Sequence, residues 1–278
     1  MSEPLWSIHQ TEGVRVPIDD FEAILDGQRA RFAAVFGDLD ADRWRSGTRC
    51  SDWNAHTVMR HLTDAVEVHL SGFTGVAPDF VEPSKGFDPQ VTPDEWLTAS
   101  AGESPAATLD RYDRAARAIR EHALADYRAG VHRIATGPYG PAHWSVITVH
   151  ILWDAWLHER DVFLVDGEVA PPSISGSASE RTLVALYSTL MATVPGHRVG
   201  RPLAGTIELE ADRPVWARFG GEQGALEVAE LEAGPAPDLR GVLPDVIDSI
   251  GGRGRPLAEV LSGPPAMVES MAILGAVI

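Results

Sequence analysis

The run His150-Ile-Leu-Trp-Asp154-Ala-Trp-Leu-His158-Glu-Arg-Asp161 limits this chain's folding options more than any other stretch. Residues three, four, seven and eight apart lie above one another on a helix, so His150, Asp154, His158 and Asp161 form one stripe of imidazoles and carboxylates. Ile147, Ile151, Leu157 and Val162 border the stripe, which turns it toward an apolar interior. Buried imidazole and carboxylate groups need partners. Asp154 and His158, one turn apart, suit ligation of a single divalent ion. A solvated face carrying the same residues is the plainer alternative. A third ligand would come from elsewhere, and His61 is the candidate, on a helix whose apolar side carries Val58, Leu62, Ala65 and Val66. The alternative for His61 is a core histidine bonded to a carbonyl.

A chain of 278 residues with 44% hydrophobic and 23% charged content has enough apolar material for two ordinary domains. Its formal charge of −17 and lack of a basic stripe argue against a nucleic-acid partner. No apolar run approaches the roughly 20 residues of a membrane-spanning helix, and Met1 to Ser7 lack a signal-peptide pattern, so no membrane partner and a cytoplasmic location are expected. The single cysteine, Cys50, excludes an internal disulfide and any multi-cysteine metal site. Lying just ahead of the His61 helix, it reads as a packed residue rather than a nucleophile.

The first half reads as helices. Apolar spacing predicts one over about 19–36, a second from about Asn54 toward Gly72, a third over about 105–127 and a fourth over about 143–164. The prolines and glycines between Gly72 and Glu95 read as a long irregular crossing, and Gly137 to Pro141 as a loop. Four such helices with one long crossover fit a four-helix bundle, a fold that builds metal sites from facing helices. The turn-rich segment from Asp166 to Gly176 marks the expected boundary between a bundle over 1–170 and a second domain over 171–278. In the second part a helix over about 178–193 precedes strands at Gly205–Glu210, Val215–Phe219 and Leu226–Leu231, and short helices at Asp245–Ile250 and Ala266–Met271. The fold class is therefore α+β, a helical bundle followed by a small α+β domain.

Several stretches carry a family resemblance: Leu25 to Arg29, Asp40 to Trp44, Cys50-Ser-Asp-Trp53, Met59-Arg-His61-Leu62 and Asp154-Ala-Trp-Leu-His158-Glu-Arg-Asp161. Together they resemble the DinB-like mycothiol-dependent maleylpyruvate isomerase family, which has a Trp shortly before a His-Leu pair and later a Glu-x-x-x-His-x-x-Asp run. Asp154 stands where that family usually has Glu. The carboxyl-terminal part is similar, more loosely, to the sterol-carrier-like domain often fused in the family.

The resemblance implies a divalent metal, zinc or a related ion, held by His61, Asp154 and His158, with Asp161 beside it. It also implies mycothiol as the thiol cofactor or co-substrate and a small electrophilic metabolite as the other partner. The implied enzyme is an isomerase or S-transferase acting as a monomer or homodimer. The same ligands without a thiol would serve a hydrolase or lyase, and a bundle without metal a small-ligand-binding protein. Further catalytic candidates are His150, as proton shuttle or alternative ligand, and Arg253 and Arg255 in Gly251-Gly-Arg-Gly-Arg-Pro256, which could clamp a carboxylate. For the two arginines a solvated loop is the alternative.

Overall fold

The computed structural model describes residues 6–7, 21–82, 85–88, 91–137, 140–165, 176–198, 203–220, 227–231 and 236–272. Its elements begin with strand β1 (Trp6–Ser7) and helices α1 (Phe21–Gly37), α2 (Ala41–Arg45), α3 (Ala55–Thr74), α4 (Thr92–Ala99) and α5 (Pro105–Ala129). The hairpin β2 (Ile134–Gly137) and β3 (Gly140–His143) leads into α6 (Trp144–Phe163), and α7 (Ala178–Arg198) follows. Strands β4 (Gly205–Glu210), β5 (Val215–Gly220), β6 (Glu227–Leu231) and β7 (Leu239–Val242) come next, then α8 (Leu243–Ile250), α9 (Leu257–Val260), β8 (Leu261–Ser262) and α10 (Pro265–Ala272). No helix among the described residues is long and apolar enough to cross a membrane.

Helices α1, α3, α5 and α6 form the bundle, with α3 packed against both α5 and α6. Local chemistry sets their starts. The Asn54 side chain accepts from the Thr57 N–H at the head of α3, and Ser104, followed by Pro105, does the same for Ala107 at the head of α5. Helix α3 buries Val58, Leu62 and Val66 of its predicted apolar side together with Met59, while Ala65 is only half-buried. Helix α6 is buried nearly all round, from Trp144 to Val162. Such a helix is a core element, and every polar group it carries must find a partner inside the protein.

Two expectations are corrected locally. The Gly137 to Pro141 segment belongs to an antiparallel hairpin in which Ile134 pairs with His143 and Thr136 with Pro141; its tip, 138–139, lies outside the described residues. A two-stranded ribbon has only edge strands, so a proline in it breaks no inner ladder. The crossing after Gly72 ends earlier than expected, because Pro93 fits the first turn of α4, where its missing N–H costs nothing. The predicted boundary segment, Asp166 to Gly176, lies outside the described residues up to Ser175.

Among the described residues the second half contributes a six-stranded sheet in the order β1-β6-β5-β4-β7-β8, antiparallel except for the β4–β7 pair. Its outer strand comes from the start of the chain, where Trp6 pairs with Val228. Strands β4 and β5 alternate as predicted, with Ile207, Leu209, Val215, Ala217 and Phe219 turned inward. Helix α7 lies between the layers, packed on α6 on one side and on β5, β6, α8 and α10 on the other. The result is one continuous core running from Phe21 to Met271.

Candidate metal centre

Two helices running in opposite directions bring the principal side chains together. His61 of α3 meets His158 of α6 with ring centroids 4.9 Å apart at 74°. Asp154, one turn before His158, has its Oδ1 3.6 Å from His158 Nε2. One donor atom from each of His61, Asp154 and His158 lies within 4.8 Å of the others. His61 Nδ1 is buried without a hydrogen-bond partner, and Asp154 stays partly open to solvent. Two imidazole nitrogens and a carboxylate oxygen at such separations fit a divalent ion of the zinc type, with a coordination position left over.

The other nitrogen of His158 is held from behind. Its Nδ1 lies 3.0 Å from Asp161 Oδ2, so an Nδ1–H donates to the carboxylate and Nε2 faces His61 and Asp154. Burial opposes charge on His158, yet Asp154 and the Asp161 hydrogen bond outweigh it and push the imidazole up to about 10. Burial likewise disfavours an ionised Asp161, but the hydrogen bonds from His158 and Arg253 win and hold it well below the usual carboxylate range. His61 is depressed well below 6.5, first by burial and then by His158, and is therefore neutral and available as a donor.

Asp161 is fully buried and shared. Arg253 donates to it through Nη2 at 2.8 Å and Nε at 3.2 Å, and Arg49 through Nε at 3.1 Å. The Cys50 thiol lies 3.2 Å from Asp161 Oδ2 and accepts from Arg253 Nη2 at 3.0 Å. Cys50, His158 and Asp161 therefore also bring three donors within 4.8 Å of one another. There, however, two guanidiniums already supply the positive charge, whereas His61, Asp154 and His158 face one another with no guanidinium bonded among them. The second set is the one that fits an ion.

The surrounding wall comes from segments far apart in sequence. The Trp53 ring lies 4.8 Å from His61 and 6.3 Å from His158, with Nε1 donating to Asp94 of α4 at 3.0 Å. Arg253 arrives on the turn after α8. A Cβ on Gly251 would sit 2.6 Å from the Leu157 side chain, so any other residue here would have to displace Leu157 for the turn to press against α6, and Gly252 at φ 73° reverses the chain toward Asp161. Asp248 anchors the same turn, accepting from Arg49 and Arg160 in two bidentate pairs at 2.7–2.9 Å.

His61, Asp154, His158, Asp161 and Arg253 are thus brought together. His150 is two turns away on α6, its Nδ1 2.8 Å from the Tyr187 hydroxyl. Arg255 points outward and pairs with exposed Asp245 at 2.8 Å. Sequence reasoning passed over Cys50 as packing and did not single out Arg49, Asp94 or Asp248. Within the sequence, the glycines on either side of Arg253 were the available sign that its backbone makes a tight turn.

Residues 25–163 match the family model described as the mycothiol maleylpyruvate isomerase N-terminal domain. No curated protein sequence matches the chain. Two solved structures are similar in fold, both of a mycothiol-dependent maleylpyruvate isomerase. One, a histidine-to-alanine mutant, is 13% identical with a TM-score of 0.53, and the other is 14% identical with a TM-score of 0.51. Each alignment covers 86% of this chain and 90% of the other.

Proposed function

The chain belongs to the mycothiol maleylpyruvate isomerase family, and on that premise we propose that it is a divalent-metal enzyme joining a low-molecular-weight thiol, mycothiol, to a small electrophilic metabolite. The observation that carries the reading is the convergence of His61, Asp154 and His158 within 4.8 Å, with His158 held by Asp161. A zinc-type ion there would supply acidity, lowering the pKa of a thiol bound to it so that sulfur is presented as the nucleophilic thiolate.

The chain's own residues set the conditions. Asp161 accepts a hydrogen bond from the Nδ1–H of His158 and so leaves Nε2 directed toward His61 and Asp154, where it would serve as a ligand. Arg253, with Arg49, balances the charge of Asp161 and leaves guanidinium surface beside the cluster for an anionic substrate group. Trp53 closes one side, which excludes water and offers a flat apolar face. Addition that reverses gives isomerisation, and addition that persists gives thiol transfer. The division into domains over 1–170 and 171–278 belongs to this proposal, the first contributing the ligands and the second Arg253.

The test uses the full chain, metal content and turnover. With zinc, mycothiol and maleylpyruvate as the trial electrophile, thiol-dependent conversion or adduct formation is expected. Close to one ion per chain should be held by these ligands, and that ion should be lost in His61→Ala and His158→Ala. Conversion that persists when the thiol is omitted, or unchanged zinc binding in both variants, would overturn the reading.

A further inference from the structure

The α3–α6 pair carries a second histidine rung. Eight residues beyond His61 on α3 stands His69, and eight before His158 on α6 stands His150, so opposed helices bring this pair together as well. The ring centroids are 5.0 Å apart at 78°, nearly the 4.9 Å and 74° of the first rung. Eight residues of helix place the rungs about 12 Å apart. The resemblance extends to the loose ends: in both rungs the α3 histidine has a buried Nδ1 without a partner, and in both the α6 histidine has its Nδ1 on an oxygen, Asp161 or Tyr187. His69 is only 4% exposed. An unpartnered nitrogen at that depth has given up its water without a replacement partner.

We propose that His69, His150 and Tyr187 form a second site for a borderline transition-metal ion, separate from the one at His61. Asp154 lies one turn from both α6 histidines but serves His158, so the third donor here is the Tyr187 phenol oxygen, 2.8 Å from His150 Nδ1. Donors bonded to one ion at about 2 Å and at right angles, as in a tetragonal copper(II) site, lie about 2.8 Å apart. The donor set is again two nitrogens and one oxygen, a set that suits copper(II) or zinc(II). Binding replaces the phenol O–H bond with an oxygen–metal bond; the proton leaves to solvent and no oxidation state changes. The site sits beneath α7 against Trp153, whose ring is 5.7 Å from Tyr187, so an ion there would tie α7 to the bundle rather than meet substrate.

The test loads the metal-free full chain with copper(II), removes loosely held ion with glycine, and records copper content and the visible spectrum. Two ions per chain and a phenolate-to-copper absorption band are expected in the wild type. His158→Ala should lose one ion and keep the band, which separates this proposal from failure of the first site. His69→Gln should lose one ion, and Tyr187→Phe, which preserves the ring and its packing, should lose the band. Absence of the band in the wild type, or a band that persists in Tyr187→Phe, would overturn the proposal, whereas one ion with the band would count against the first site alone; should His69→Gln fail to fold, Tyr187→Phe decides alone.

Discussion

His158 illustrates how one side chain is given two duties by its neighbours. Nδ1 is committed to Asp161 and Nε2 is directed at Asp154 and His61, so both ring nitrogens are placed by protein side chains. Asp161→Asn should therefore weaken zinc binding about 10–100-fold without removing a ligand, because a neutral amide orients the ring less firmly than the carboxylate and adds less to its basicity. Calorimetric titration with zinc checks it, and unchanged affinity would reduce Asp161 to charge balance for Arg253. Asp154 makes a different test. Asp154→Asn should weaken binding because a neutral amide is a poorer donor, whereas Asp154→Glu, the residue usual in the family, should retain it. Loss in Asp154→Glu as well, by the same titration, would mean the helix spacing here is set for the shorter side chain. The Cys50–Arg253 contact is not legible in the sequence, where Cys50 reads as packing: a thiol and a guanidinium 203 positions apart meet only in the folded chain.

At the scale of elements, α6 depends on a histidine at its start. His143 is the cap, its Nδ1 accepting from the Ser145 N–H, and it is 2% exposed. Burial, with a smaller push from His132, lowers its pKa to about 4. The unfolded chain takes up a proton near 6.5, while the folded chain resists until about 4. Between those values the unfolded state binds more protons, so stability is full above pH 6.5, falls as pH drops and levels off below 4. A depression of that size corresponds to about 3 kcal/mol. Urea unfolding at pH 7 and pH 4.5 should show this loss, and His143→Asn, which can still cap but does not titrate, should show a smaller one. Equal losses in the two proteins would place the acid sensitivity elsewhere. The long helices were legible in the sequence, since capping residues and apolar periodicity are local properties. The β2–β3 hairpin and α4 were not, because prolines and glycines read as breaks wherever no partner strand or neighbouring helix is visible.

At the scale of the whole molecule, α7 and Asp248 join the helical and sheet layers. Helix α7 covers α6, with the Tyr187 ring 5.6 Å from His150 and 5.7 Å from Trp153, and Trp153 donates to Ser188 across the contact at 3.0 Å. Asp248 accepts from two arginines of the bundle side with its own side chain 14% exposed. Asp248→Asn should therefore cost about 3–5 kcal/mol, because two buried guanidiniums lose their shared counter-charge. It should also lower turnover with little effect on zinc content, since the turn carrying Arg253 loses its anchor while the three ligands stay in place. Denaturant unfolding, kinetics and metal analysis check the three parts; an unchanged stability would mean that Arg49 finds sufficient compensation in Asp161.

The sequence by itself determined the helical bundle, the α+β second part and the stripe of imidazoles and carboxylates on α6, because helix periodicity and the 2-residue alternation of strands are written in short stretches of chain. It also carried the family motifs. Tertiary structure alone decided which stripe residues belong together: Asp154 turned to His158 while His150 went to Tyr187, although the two histidines lie at equal spacing from it. It decided between the arginines as well, burying Arg253 on Asp161 and leaving Arg255 outside on Asp245. Spacing along one helix fixes only which side chains share a face. Which of them meet depends on where the opposing helix, the α7 layer and the glycine turn after α8 supply a partner for a charge that burial would otherwise forbid.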